Sequence, residues 1–103
     1  MKKLRWDPIA KEQITEIFNF YKTRYGVRTA KKISDAIRLS SKRLKEQPLL
    51  GFKEPLLLTN PHGYRSLIEG NYKIVYCLEK ANFIRFAAIF DCRQNPDKLS
   101  QAL

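Results

Sequence analysis

Apolar residues are distributed along this chain with two different periods, and the change of period marks the elements. The stretch GYRSLIEGNYKIVYCLEKANFIRFAAIFDCR, residues 63–93, is dense in Tyr, Ile, Val and Phe and is punctuated at Gly70-Asn71 and Lys80-Ala81. This predicts an antiparallel meander with strands over 64–69, 72–79 and 82–91. In the middle strand Tyr72, Ile74, Tyr76 and Leu78 alternate with Lys73, Val75 and Cys77. The bulkier set belongs against the rest of the protein, which puts Lys73 on the open face. In the last strand Ile84, Phe86, Ala88 and Phe90 oppose Phe83, Arg85, Ala87 and Ile89, and the second set is expected to be open. The side taken by Arg65 depends on the first turn. A two-residue turn puts it with Tyr76, and a three-residue loop with a bulge puts it with Lys73.

The first half of the chain has helical periodicity. Asp7-Pro8 has the form of a helix start, a carboxylate at the N-cap with proline in the first turn. Ala10, Ile14, Ile17, Phe18, Tyr21 and Tyr25 then recur at three- and four-residue intervals until Gly26. A second helix is expected over 28–46, with Ala30, Ile33, Ile37, Ser40 or Ser41, and Leu44 inside. Lys31, Lys32, Arg38, Lys42, Arg43 and Lys45 occupy the remainder of its surface. The short link at Gly26-Val27 makes the two an antiparallel hairpin.

A three-stranded meander is marginal alone, so the hairpin must cover one of its faces. Residues 2–6 read as an edge strand that joins the meander, and 53–59, which contain Pro55, as an irregular or edge strand. Residues 96–103 read as a short helix or tail. The expected fold is therefore α+β, in the order β-α-α-β-β-β-β, a small antiparallel sheet with a helical hairpin on one face and the other face free. The 103 residues are read as one domain.

Charge changes this picture more than composition does. Twenty Lys and Arg against ten Asp and Glu give a formal net charge of +10, which points to an anionic partner. No apolar run approaches the roughly 20 residues of a membrane span, and the basic start lacks an apolar secretory segment. A cytoplasmic protein with no membrane partner is expected. Cys77 and Cys92 form no C-x-x-C and read as small core residues. His62 is the only histidine, without Cys or His partners at ligand spacing, so neither a metal nor a cofactor is expected.

The order of these elements, with Trp6-Asp7-Pro8-Ile9-Ala10, residues 44–51, Tyr64-Arg65-Ser66-Leu67, Asn71-Tyr72-Lys73-Ile74-Val75-Tyr76 and Asp91-Cys92-Arg93-Gln94-Asn95-Pro96, resembles the RelE/ParE toxin superfamily across essentially the whole chain. The resemblance implies the toxin of a type II toxin–antitoxin system, one that restrains growth or helps plasmids persist. It implies as partner a small acidic antitoxin, with a toxin–antitoxin heterotetramer among the possible assemblies. Two kinds of target divide the superfamily: RelE-like members cleave mRNA on the ribosome, and ParE-like members block DNA gyrase.

The hairpin 65–72 looks closer to ParE-like members. For a RelE-like nuclease, the resemblance places Lys73 at a phosphate-binding position and Arg93 at a second cation site, with Arg65 completing a trio. Metal-free RNA cleavage also needs a general acid and base. The terminal Tyr or His that supplies one in such enzymes has no counterpart here, since Leu99 stands near that place. His62 and Tyr64 are what remain to take the role. The reading therefore leans to gyrase inhibition, with ribosome-dependent mRNA cleavage as the alternative. A nucleic-acid-binding module or an inactive toxin are further ones.

Overall fold

The structure, a computed structural model, describes residues 2–103. The chain runs β1 (Lys3–Trp6), α1 (Pro8–Tyr25), α2 (Val27–Lys42), β2 (Phe52–Lys53), β3 (Arg65–Glu69), β4 (Tyr72–Glu79), β5 (Phe83–Asp91) and α3 (Asp97–Ala102), with 3-10 turns at Arg43–Lys45 and Pro55–Leu57. The five strands form one sheet in the order β1-β5-β4-β3-β2. The meander β3-β4-β5 and the edge strand β2 are antiparallel. β1 joins as expected but runs parallel to β5, the one parallel pairing in the sheet. Trp6 locks it there by stacking on Phe86, with ring centroids 4.1 Å apart.

The helices cover one face. Ala10 and Ile14 of α1 and Ile37 of α2 bury themselves with Leu44 against Tyr72, Ile74, Tyr76, Ile84, Phe86 and Ile89. The stripe on α1 is shorter than its periodicity suggests: Tyr25, the last of the series, is 65% exposed. The helix ends at Gly26, whose φ of +93° suits glycine and starts α2 without a linker.

Two expectations fail on the opposite face. That face is not free: Leu57 of the second 3-10 turn, Tyr64 and Leu99 of α3 cover Val75, Cys77, Ala87 and Ala88 as a second buried cluster. Its cover is made of short segments, each offering one or two apolar residues, too few to show as periodicity. The alternation in β5 also breaks. Val75 pairs with Ala88 and Tyr76 with Phe86, so Ala87 is an extra residue in the ladder. Beyond this bulge the faces exchange, which sends Ile89 to the helical side and Phe90 to the other. Cys92, past the strand end, is exposed, whereas Cys77 is buried as expected; both thiols are free.

β2 is held by a close approach. The Gly51 amide donates to the Tyr76 hydroxyl at 3.0 Å, and that hydroxyl donates to the Pro48 carbonyl at 2.8 Å. A Cβ on Gly51 would lie 2.7 Å from both the Ser66 carbonyl oxygen and the Tyr76 hydroxyl. Gly51→Ala should therefore destabilise the fold by about 1–3 kcal/mol, as overpacking does. A urea denaturation midpoint equal to wild type would show that β2 can move aside.

Candidate functional site

Lys73, Arg65 and Arg93, the three cations read from the sequence as phosphate ligands, each already have a partner inside the molecule. Lys73 lies on the face away from the helical hairpin, as its alternation requires. Its ammonium is 2.8 Å from Glu54 Oε1, with only 19% of the side chain exposed. Glu54 has no exposure at all. The Glu54 Oε1 atom also accepts from the Ser66 hydroxyl at 2.8 Å, and Oε2 accepts from the Leu56 amide at 2.9 Å. Burial by itself pushes the Glu54 carboxyl up. The bonds from the Leu56 amide, Lys73 and Ser66 outweigh it and hold the group below its ordinary value.

This site was not legible as a pair. Glu54 precedes Pro55 and caps the 3-10 turn Pro55–Leu57, which is the signal that marks it: an acidic N-cap before proline. The turn carries Leu57 onto the second core cluster and aims the carboxylate inward at Ser66 and Lys73.

Arg85 lies on the same face in a similar cage. Its guanidinium reaches Asp7 at 2.6 Å, Glu79, and the Tyr64 hydroxyl at 3.2 Å, with 13% of the side chain exposed. Burial disfavours its charge, but the bonds to Tyr64, Asp7 and Glu79 prevail and keep it firmly protonated. Asp7 thus spends its carboxylate on Arg85 and makes no side-chain cap for α1, although it stands at the N-cap as the sequence suggests.

Arg65 and Arg93 point elsewhere. The Gly70-Asn71 turn has two residues, so Glu69 pairs with Tyr72 and Arg65 with Tyr76, on the helical face. There Arg65 donates to the Gly51 carbonyl at 2.7 Å. Arg93, beyond the end of β5, closes a two-pronged bond on Asp91 at 2.9 and 2.8 Å, and these bonds hold the Asp91 carboxyl below its usual range. Lys73, Arg65 and Arg93 are therefore not brought together. Tyr64 is buried against Arg85 and His62 is exposed beside it, with ring centroids 5.5 Å apart.

A groove of about 380 Å³ opens between α1 and the end of β5, floored by Ile17, Phe20, Ile89 and Phe90 and rimmed by Glu16 and Arg93. Deep in it, burial and the Tyr21 hydroxyl beside it raise the pKa of Tyr72 and keep its phenol neutral. No group of His, Cys, Asp and Glu suited to a metal occurs among the described residues, and none of their helices is long and apolar enough to cross a membrane.

The chain is thus an α+β domain with Lys73, Arg65, Arg85 and Arg93 internally engaged and a groove of mixed apolar and polar lining beside the end of β5. A family model described as the ParE toxin of the type II toxin–antitoxin system, parDE, matches residues 4–96, and the chain belongs to that family. Membership implies an antitoxin partner. Among solved structures that share the fold is a chain of the chromosomal ParDE toxin–antitoxin system from P. aeruginosa. It is 22% identical, with a TM-score of 0.74 over 88% of this chain and 96% of that one. No curated protein matches the sequence.

Removing the Lys73 charge should leave a buried carboxylate unpaired. Lys73→Met is expected to cost about 3–5 kcal/mol, and Glu54→Gln in the same chain should restore much of it. The pH dependence follows from the lowered Glu54 pKa. Its contribution is fully present above the ordinary value of 4.5 and is lost as pH falls through the lower folded value. Urea melts from pH 7 down to 3 should show a shallower acid limb for Glu54→Gln than for wild type. Parallel limbs would mean that Glu54 does not govern acid stability.

Proposed function

We propose that this toxin arrests growth by binding a protein, DNA gyrase, and not by cutting mRNA. The observation that carries the reading is the Lys73–Glu54 pair. To hold a scissile phosphate, Lys73 would have to leave a carboxylate with no solvent exposure, an exchange that breaking a buried pair makes strongly unfavourable. Arg93 is engaged by Asp91 and Arg65 by a backbone carbonyl. Leu99, which stands where RelE-like enzymes keep a terminal aromatic, is buried in the second cluster. In this reading Lys73 and Arg65 tie elements of the fold together, Arg93 braces only the end of β5 through Asp91, and none of them performs catalysis. The antitoxin is then a small acidic protein that lays an apolar segment into the groove between α1 and β5.

Purified protein should inhibit gyrase supercoiling while a purified translation system keeps its mRNA intact. New 5′ ends at codon positions, abolished by Arg93→Ala, would overturn the reading in favour of the nuclease. For the antitoxin, Phe20→Glu should weaken binding about tenfold or more, or 1.4 kcal/mol. Unchanged affinity in calorimetry would place the antitoxin elsewhere.

A further inference from the structure

The positive charge of this chain is sorted by the fold. Lys73, Arg85 and Arg93, which belong to the sheet and its end, are neutralised from within. The outer side of α2 is the opposite case. Arg28, Lys31, Lys32, Arg38 and Lys42 are all exposed, and none has an ion pair or side-chain hydrogen bond among the described residues. Their spacing of three, four and seven residues puts them within about a third of the helix circumference, opposite the buried Ala30, Ser34, Ile37 and Ser41. Arg28 to Lys42 covers about 21 Å at 1.5 Å per residue.

The Lys2 amide donates to the Lys45 carbonyl at 3.2 Å, which brings the basic start of the chain beside the end of α2, forty residues away in order. Within the stripe only Asp35 is acidic, and Leu39 is its one large apolar residue.

We infer that α2 is a contact surface for the phosphate backbone of a nucleic-acid duplex, additional to the protein target and independent of whether that target is gyrase. Three candidate occupants differ in what they require. An acidic protein needs apolar anchors at the centre of the interface, and the stripe offers Leu39 alone. A single strand needs aromatic platforms for its bases, and no aromatic residue lies on this side of α2. A duplex backbone requires only cations in a row, because it presents a negative charge about every 1.7 Å of axis. A straight row of unpaired Lys and Arg over several turns matches the last of these. The contact carries no base-reading element, so the binding is indifferent to sequence.

The test is fluorescence anisotropy of a 30-base-pair DNA duplex against salt, with an RNA duplex of the same sequence and a single-stranded RNA as parallel probes. Two variants with equal loss of charge are compared: Lys31→Gln, Lys32→Gln, Arg38→Gln and Lys42→Gln together, and Lys11→Gln, Lys22→Gln, Lys53→Gln and Lys98→Gln together. Glutamine keeps helix propensity, and circular dichroism confirms folding. The stripe variant should flatten the plot of log affinity against log salt by about 3–4 and lose at least about tenfold in affinity near physiological salt. The control variant should stay much closer to wild type in both.

Comparable binding of the DNA and RNA duplexes supports a backbone contact, and a preference between them names the source. Equal weakening of the two variants would overturn the assignment, since the attraction would then belong to overall charge. So would single-stranded RNA bound as tightly as duplex, or no salt-dependent duplex binding by wild type. Poly-glutamate captured through the stripe while the duplexes are not would reassign it to an acidic protein. A gyrase assay read separately tells failure of this contact from failure of the protein target.

Discussion

A carboxylate with no solvent exposure, 2.8 Å from a lysine on the central strand, ties together the parts of this protein that have least to hold them. β2 is two residues long, and the turn that follows it is a single 3-10 element. Neither would persist for its own contacts. Glu54 caps that turn, bonds Ser66 on β3 and neutralises Lys73 on β4, so one side chain fastens the sheet edge, a central strand and the cover over the second face. Burying such a group requires that all its bonds be made, because a partly satisfied charge in this environment costs more than an apolar residue. Every position in the set is thereby constrained at once.

The large periodic elements were legible in the sequence because each declares itself over many residues. The meander, the helical hairpin and the placement of Lys73 away from the helices all follow from alternation or from three- and four-residue recurrence. What escaped depends on single residues. The bulge at Ala87 falls inside Phe-Ala-Ala-Ile, where two small apolar side chains fit either face and nothing marks the extra one. The cover on the second face comes from Leu57, Tyr64 and Leu99, which lie far apart in order. Glu54 and Lys73 are nineteen residues apart, and a glutamate beside proline in a loop looks like surface charge until its capping geometry is considered. A local pattern cannot report a partner that only the fold supplies.

The total of +10 was equally visible and equally incomplete. The cations Lys73 and Arg85, on a face that the second cluster covers, could not remain bare, so each is paired with carboxylates and adds little charge to the surface. Those on the helices had no such demand and stayed unpaired. The same net charge, read without this sorting, suggests a phosphate-holding sheet, as in a nuclease. Sorted, it describes a neutralised sheet beside a basic helical surface, which agrees with a ParE toxin better than with a RelE-like nuclease.

The first hairpin turn decides which face of the sheet Arg65 takes. Gly70 has a φ of +58° and Asn71 is not left-handed, the pattern of a two-residue type II′ turn that asks for glycine at its first position. That length sets Arg65 opposite Tyr76, on the helical side, where the Gly51 carbonyl engages it. One more residue in the turn would have moved Arg65 to the face of Lys73. Two cations would then have shared Glu54 as their nearest carboxylate, with positive charge left over for a phosphate. The Gly-Asn turn thus keeps Lys73 and Glu54 in one-to-one balance, and it does so through backbone geometry alone.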